Sequence, residues 1–401
     1  MGLTVLMNAG PWLPVPPPGY GGIENVVATL VPELRRLGVR VVLASVGDST
    51  LPVDELLSVY PRGQFSALQR PYNQVMGIAH AHLNAVVRAL RERDDIDLVH
   101  DHVEAVGLAV LSAMGPEACP ALHTLHWDLG KHPDLYGYVD GGDRVRVNGV
   151  SAAQLARAPQ ALREHAIGYV HLATPLATDA DRRPVGEKAD YLVTLGRITR
   201  GKGQHLGARL AHEARFDLVL AGPVGPYRRP EELAAAGPEA DQNPDVRYWR
   251  EEVAPLVDGV RVRWVGTVAG AARDELVARA RASLFPLCWE EPGGTAVIES
   301  LALGTPVVAV GRGCLPELVE HGRTGLLAED GDGLAELVSG IARLDARECC
   351  REASRRFTPR VMAERYVELY QRMRRLPTTA PDGGAPDVFV HFSEIVGNGY
   401  R

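Results

Sequence analysis

Short apolar runs alternate with segments of helical spacing along most of the chain. Residues 3–7 form the first apolar run, and a loop rich in proline and glycine follows it. Apolar residues then recur every three or four positions over residues 23–37, and a second apolar run covers residues 39–46. A strand, a helix and a second strand in this order are typical of a parallel α/β unit.

The same alternation continues through both halves of the chain, which predicts an α/β protein with two doubly wound, Rossmann-like domains. In the first half, apolar runs lead into polar residues at 100–102 and at 126–128. In the second half, an apolar run at residues 191–195 leads into a glycine-rich turn. Ligands bind beyond the carboxyl ends of the strands in open parallel sheets, so we expect a site at these strand ends.

A stretch around two adjacent glycines carries the most informative pattern. Gly293 and Gly294 allow a turn after an apolar strand, and Thr295 is the predicted N-cap of a short helix. Glu291 precedes the glycines, and Glu299 lies one turn into the helix. Because free N–H groups at a helix start favour anions, a phosphate could bind between two carboxylates that accept hydrogen bonds from hydroxyl groups. That combination suits a sugar nucleotide, and a solvated surface loop is the alternative.

Glu291 and Glu299 are separated by seven residues and followed by Ala-Leu-Gly-Thr-Pro-Val-Val-Ala. This pattern resembles the signature of retaining GT-B glycosyltransferases of the group 1 or family 4 type, which use nucleotide-sugar donors. The resemblance implies that Glu291 contacts hydroxyl groups of the donor sugar and that Glu299 holds the ribose. It also implies that the backbone at Gly293, Gly294 and Thr295 meets the diphosphate. The family often has an aromatic residue where this chain has Gly293, which implies a differently shaped sugar pocket.

The resemblance also predicts the organisation of the chain. We expect an acceptor-binding domain at residues 1–173, a linker at 174–187, a nucleotide-sugar-binding domain at 188–357, a helix at 358–375 that crosses back to the first domain, and a tail at 376–401. The end of the tail resembles one strand and one turn of a cold-shock domain. Because a lone strand cannot form that barrel, we predict no nucleic-acid function for the tail.

Two cations flank the turn that opens the second domain. Arg197 and Lys202 lie between a strand end and a predicted helix, where they can stabilise a diphosphate leaving group. Solvated loop charges are the alternative, and the resemblance favours the diphosphate because Gly-Arg followed by Lys-Gly is the family's binding pair. The resemblance further implies that Thr267 and Val268, after a later strand, lie near the nucleobase.

The first glycine loop does not match a dinucleotide-binding fingerprint. The third glycine of that fingerprint is replaced by Glu24, and the loop is long and rich in proline. A flexible turn is one interpretation of Gly21 and Gly22. The resemblance implies instead that these glycines let the first domain approach the donor phosphates and the acceptor.

Four histidines follow or end two predicted strands, at positions 100, 102, 123 and 126. A metal site is one hypothesis, but we favour hydrogen-bonded structural histidines because no cysteine or glutamate is evident to complete a closed site. The resemblance singles out His126, which follows a Thr-x pair, as a contact to the donor sugar. His102, Trp127, Asp128 and Tyr136 are candidates for acceptor binding, with aromatic core packing as the alternative.

Composition narrows the classes of function. Among 401 residues, 46% are hydrophobic, and the net charge is −7, which argues against a general binder of nucleic acids or anionic membranes. No apolar run has the length of a membrane span. The five cysteines are odd in number and form no CxxC motif, so we expect reduced thiols, a cytoplasmic protein and no metal.

The predicted function is transfer of a sugar, with retention of configuration, from a nucleoside diphosphate to a hydroxyl acceptor. His126, Arg197, Lys202 and Glu291 are the predicted catalytic residues, and no cofactor is expected apart from the donor, which the resemblance implies to be UDP- or GDP-linked. A nucleotide-sugar epimerase or a sugar phosphorylase of the same fold is the first alternative. A nucleic-acid-binding protein, argued from the tail, is a remote alternative that the charge disfavours.

Overall fold

The computed structural model describes residues 2–19, 21–115, 118–140, 142 and 144–375. Within them, strands form two entirely parallel sheets, one in each half of the chain. The first sheet contains β1 (Thr4–Asn8), β2 (Arg40–Ser45), β3 (Glu55–Ser58), β4 (Leu98–Asp101), β5 (Ala121–Leu125), β6 (Val145–Gly149) and β7 (Ala166–Tyr169). The second contains β8 (Tyr191–Leu195), β9 (Asp217–Ala221), β10 (Val262–Trp264), β11 (Ala282–Phe285), β12 (Val307–Val310) and β13 (Gly325–Ala328).

Both sheets follow the same pattern of strand order, and the first has one additional strand, β7. The first runs β3-β2-β1-β4-β5-β6-β7, and the second runs β10-β9-β8-β11-β12-β13. In each sheet the chain order reverses direction between two central neighbours, β1 and β4 or β8 and β11. Such a switch point opens a crevice at the carboxyl ends of the strands. The predicted fold class, two doubly wound α/β domains, is confirmed.

Helices cover the faces of both sheets. In the first half of the chain they are α1 (Gly22–Arg36), α2 (Tyr72–Glu92), α3 (Val106–Ser112), α4 (Pro133–Tyr138), α5 (Ala152–Ala156) and α6 (Gln160–His165). In the second half they are α7 (Gln204–Ala214), α8 (Pro230–Ala234), α9 (Pro244–Tyr248), α10 (Gly270–Arg279), α11 (Thr295–Ala302), α12 (Leu315–Leu318), α13 (Leu334–Val338), α14 (Ala346–Arg356) and α15 (Pro359–Arg375). Among the described residues, no helix combines the length and apolar composition needed to cross a membrane.

The strands are buried on both faces, which explains why they read as continuous apolar runs rather than alternating ones. The exceptions are three strands at sheet edges: β7 and β10 are partly exposed, and the residues of β3 alternate between half-buried and exposed. The hydrophobic pattern did not predict β3, because a short strand at a sheet edge needs few apolar residues. The bounds of the other predicted strands shift by a few residues, as expected for element ends.

The last helix belongs to the core of the first domain although it follows the second in sequence. Tyr366 and Tyr370 on α15 are fully buried among Met7, Val27 and Leu98. The helix therefore ties the two halves of the chain together. The predicted tail at 376–401, with its cold-shock resemblance, lies outside the described residues.

Candidate active site

Two loops of the second domain meet at its switch point. Gly203, after β8, adopts a left-handed φ of 70°, and a Cβ there would overlap the carbonyl oxygen of Pro286 after β11. The N–H of Cys288 donates to the carbonyl of Gly201 over 2.8 Å. Only glycine permits this close approach of the backbone at position 203. The contacts hold Lys202, which lies between the two glycines, against the loop after β11.

Lys202 lies directly on Glu291. Its Nζ contacts the Glu291 carboxylate and lies 5.1 Å from the centre of the Trp289 ring. The two charges are 89 positions apart in sequence, and the adjacency of β8 and β11 brings them together. The structure thus places a cation beside the carboxylate that leads into α11.

Arg197 stands at the start of the same loop, with its side chain exposed. Its carbonyl oxygen accepts a hydrogen bond from Gln204 Nε2 over 2.9 Å. Within the described part of the chain, its guanidinium forms no hydrogen bond to Glu291 or to Thr295. Arg200, in contrast, pairs with Glu252, so this third cation of the loop supports local structure.

The start of α11 differs in detail from the prediction. Gly294, with a φ of 60°, occupies the N-cap position, and Thr295 is the first helical residue, exposed to solvent. A Cβ at Gly294 would lie 2.6 Å from Leu318 Cδ1, which explains the glycine. The prediction of Thr295 as N-cap is wrong because the sharp entry into the helix requires the left-handed conformation one residue earlier.

Glu299 lies one turn into α11 and pairs with a partner that the sequence did not reveal. Arg273 Nη1 lies 3.2 Å from its carboxylate, and the same guanidinium contacts Asp274 at 2.7 Å. Burial raises the pKa of Glu299 above its usual value. Arg273 belongs to α10, and nothing in the spacing of that helix indicated a residue of this site.

Gly293 is packed against the first domain. A Cβ there would lie 2.7 Å from Leu172 Cδ1 and 3.1 Å from Val150 Cγ2. Next to it, Ser151 Oγ donates to the carbonyl of Pro292 over 2.7 Å. An aromatic side chain at this position would collide with the first domain, which accounts for the departure from the family pattern.

Across the cleft, His126 is held by a carboxylate that the sequence analysis overlooked. The N–H groups of His126 and Trp127 donate to Glu104 Oε1, and the Tyr136 hydroxyl donates to Glu104 Oε2 over 2.9 Å. His126 Nε2 lies 2.8 Å from His102 Nδ1, and burial lowers the pKa of His126 to about 4. The imidazole is therefore neutral at physiological pH and fixed in orientation.

His102 and Tyr136 are fully buried, and both hold the loop that carries His126 and Trp127. Their roles toward an acceptor stay predictions. Trp127 is half-buried and Asp128 is exposed, so these two candidates remain accessible.

The remaining histidines form a buried hydrogen-bonded cluster. His100 bonds Tyr370 and Thr124, each over 2.7 Å, and His123 Nδ1 lies 2.5 Å from Asp101. Burial alone would lower the pKa of His123, but Asp101 and Glu104 raise it to about 9. Among the described residues no group of histidine, cysteine or carboxylate side chains has the arrangement of a metal site. Both ring nitrogens of His100 and Nδ1 of His123 make hydrogen bonds within the polar core, whereas His123 Nε2 is buried without a hydrogen-bond partner among the described residues.

One cavity connects the two domains. It has a volume of about 380 Å³, and its wall includes Trp127 and Asp128 from the first domain and Glu290 and Glu291 from the second. Two acceptor-binding candidates of the first domain and the sugar-binding candidate Glu291 of the second therefore face one space.

Two family models match this chain. Residues 20–152 match Glycosyltransferase Family 4, and residues 189–346 match Glycosyl transferases group 1. The crystal structure of AviGT4, a glycosyltransferase involved in avilamycin A biosynthesis, is 28% identical, covers 92% of this chain and 98% of that protein, and has a TM-score of 0.58.

The chain belongs to the GT-B glycosyltransferases.

Two further similarities concern proteins with named ligands or substrates. The D-inositol 3-phosphate glycosyltransferase of Pseudarthrobacter chlorophenolicus is 24% identical over 295 residues, and the match spans 65% of each protein. The Anabaena protein Alr3699/HepE, solved in complex with UDP-glucose, has a TM-score of 0.58 at 18% identity, with 92% of this chain and all of that protein covered. At this identity the second similarity concerns the fold alone.

Other predicted donor contacts of the glycosyltransferase lie on separate loops of both domains. The N–H of Thr267 donates to the Arg228 carbonyl over 2.7 Å, so that amide is occupied, and Val268 is half-buried beside it. Gly21 and Gly22 line a second cavity on the first domain, described below. Their roles toward the donor stay predictions.

A residue of the family block after β12 connects the domains of the glycosyltransferase. The Glu317 carboxylate accepts hydrogen bonds from the N–H groups of Ala152 and Ala153, over 3.0 and 2.7 Å, and pairs with His171. Glu317 thus caps a helix of the opposite domain. The sequence gave no indication of these partners of Glu317.

Gly203→Ala tests whether the contact between the two loops positions Lys202. We expect a loss of about 2–3 kcal/mol in the free energy of unfolding and weaker nucleotide binding, because the new Cβ must displace the Pro286 carbonyl. Gly259→Ala is the matched control: its φ is 75°, but a Cβ there meets nothing within 4 Å. Urea unfolding measures the loss of stability in both variants. Equal losses would mean that only the unfavourable backbone conformation of alanine matters, and would contradict a role of the loop contact in positioning Lys202.

Proposed function

We propose that this glycosyltransferase moves a sugar from a nucleoside diphosphate to a hydroxyl acceptor, with retention of configuration. The observation that carries the proposal is the contact of Lys202 with Glu291 beside the start of α11. It puts a cation, a carboxylate and unpaired helical N–H groups at one switch point, which suits a diphosphate attached to a sugar.

Each group has a distinct role in the proposal. Lys202 and the start of α11 stabilise the negative charge that develops on the departing diphosphate, and Arg197 can join them from its exposed position. Because protein cations supply that charge, we propose a reaction that needs no metal. Glu291 accepts hydrogen bonds from the sugar, and Glu299, held by Arg273, accepts hydrogen bonds from the ribose.

His126 faces the sugar from the other domain in this proposal. A neutral imidazole can donate or accept a hydrogen bond without adding charge near the reacting carbon, and Glu104 and His102 hold it in place. The donor is a UDP- or GDP-linked sugar. Retention is tested by the anomeric configuration of the product, read by NMR.

Glu291→Ala and Glu299→Ala are expected to affect different kinetic constants. Loss of charge-assisted hydrogen bonds to the sugar lowers kcat of Glu291→Ala by about 10–100-fold, while the affinity for the nucleoside diphosphate is kept. Loss of the ribose contact raises the Kd of Glu299→Ala for the nucleoside diphosphate by about 10–100-fold. Steady-state kinetics and calorimetry distinguish the two effects. Full activity of Glu291→Ala would remove that residue from the site.

A further inference from the structure

A second cavity lies in the first domain, next to the cleft. Its volume is about 390 Å³, within the range of small-molecule pockets, and apolar side chains dominate its wall. They are Trp12, Ile23, Phe65, Leu68, Val106 and Trp127. Phe65 and Leu68 are more than 40% exposed, which is unusual for large apolar side chains grouped at one opening.

Trp127 lines this cavity and also the cleft cavity that contains Glu291. A molecule bound in the apolar cavity therefore borders the place where the sugar is proposed to react. His126 is adjacent in sequence to Trp127. The wall residue that the two cavities share makes the apolar cavity a position for an acceptor beside the proposed sugar site.

The charges in its wall exclude one class of acceptor. Glu24 and Glu104 are both about 5% exposed and line the cavity, and His132 is the remaining ionisable side chain there. Among the described residues of the wall there is no lysine or arginine. Lys131 Nζ lies 4.6 Å from the centre of the Trp127 ring, but Lys131 is not part of the wall. Within the wall itself a phosphate group would meet two carboxyl groups and no guanidinium or ammonium, whereas phosphate recognition relies on such cations.

Glu24 can accept a further hydrogen bond. Its carboxyl group is hydrogen-bonded to its own backbone N–H, and within the described part of the chain no other side chain hydrogen-bonds to it. Burial raises the pKa of Glu24 to about 7. A carboxyl group has acceptor capacity beyond one hydrogen bond, and a hydroxyl group on an apolar molecule would use it.

We infer that the acceptor is an uncharged, predominantly apolar hydroxyl compound that occupies this cavity and hydrogen-bonds to Glu24. The inference rests on the proposed function and specifies its acceptor. It separates this chain from the similar D-inositol 3-phosphate glycosyltransferase, whose name specifies a phosphorylated polyol.

The test compares two probes on the full chain. Binding of 2-naphthol and of myo-inositol 3-phosphate is measured by tryptophan fluorescence, and release of nucleoside diphosphate from UDP-glucose or GDP-mannose is measured with and without each probe. We expect 2-naphthol to bind at least tenfold more tightly and to accelerate diphosphate release. Tighter binding of myo-inositol 3-phosphate would overturn the inference.

A pair of leucine variants locates the binding. Leu68→Arg places a charge at the opening of the cavity and is expected to raise the Kd for 2-naphthol at least tenfold without changing nucleotide binding. Leu56→Arg is the control, since Leu56 is similarly exposed, at 37%, but lies on the edge strand β3. Equal effects of both variants would contradict binding in this cavity.

Failure of the inference and failure of the proposed function give different results. If a nucleotide sugar binds and is slowly hydrolysed but 2-naphthol neither binds nor accelerates release, only the acceptor class is wrong. If no nucleotide sugar binds while 2-naphthol still binds in a Leu68-dependent way, the proposed function is wrong and the apolar ligand class is supported.

Discussion

Lys202→Met is expected to lower kcat for sugar transfer by about 10²–10³-fold, the usual cost of removing one charge-stabilising group from a transition state. Methionine keeps the length and apolar stem of the side chain, so packing beside Trp289 is retained. The negative charge on the diphosphate grows as the sugar departs, and the lost interaction is therefore larger in the transition state than in the ground state. The Kd for the nucleoside diphosphate should change much less than kcat.

Arg200→Met is the matched control for this prediction. Arg200 lies two residues away on the same loop, but its guanidinium pairs with Glu252 and lies 5.5 Å from the Tyr248 ring. We expect its kcat to stay within about threefold of the unmodified enzyme. If both variants lost activity equally, the loop as a whole, rather than the ammonium group of Lys202, would be responsible.

His123→Leu is expected to lower the free energy of unfolding by about 3–5 kcal/mol, the range found when one partner of a buried charge pair is removed. His123 is fully buried, lies 2.5 Å from Asp101 and 3.8 Å from Glu104, and is the cation that balances these two carboxylates. His80→Leu is the control, because His80 is exposed on α2 and its ring contacts only the Met76 carbonyl among the hydrogen bonds described. Its effect should stay within about 0.5 kcal/mol.

The raised pKa of His123 also predicts the direction in which the free energy of unfolding changes with pH. The pKa of His123 is raised to about 9, above its usual value of 6.5, so its contribution to stability is fully present below pH 6.5. That contribution is lost as the pH rises through about 9. Urea unfolding of the unmodified protein should therefore show a decline between pH 7 and pH 10 that His123→Leu lacks. The same decline in both proteins would show that another group is titrating.

Some residues of the proposed site could be predicted from the sequence, and others could not. Glu291, Glu299 and Lys202 lie at strand ends or a helix start in a recognisable spacing, and the structure brings Lys202 to Glu291. No such spacing in the sequence indicated Glu104 or Arg273. Glu104 follows β4, and its carboxylate accepts a hydrogen bond from the loop after β5. Predicting this contact requires knowing that β4 and β5 are neighbours in the sheet.

The apolar cavity of the first domain could not be predicted from the sequence either. Its wall combines residues of the first glycine loop, the segment around Leu68 and the loop after β4, each of which reads as ordinary surface or core by itself. His102 and Tyr136, two candidates for acceptor binding, are fully buried and hold the loop of His126 through His126 itself and through Glu104. An aromatic or histidine residue near a site can face the ligand or support the loop behind it, and spacing does not distinguish the two.

The sequence by itself determined the two parallel α/β domains, the family, and the strand ends where chemistry is concentrated, because hydrophobic period and glycine position are local properties of the chain. Tertiary structure alone decided which charges meet: Lys202 with Glu291, Arg273 with Glu299, and His123 with two carboxylates. The reason is physical. Strand order sets these distances, and strand order depends on how helices pack on both faces of each sheet, which no single segment encodes.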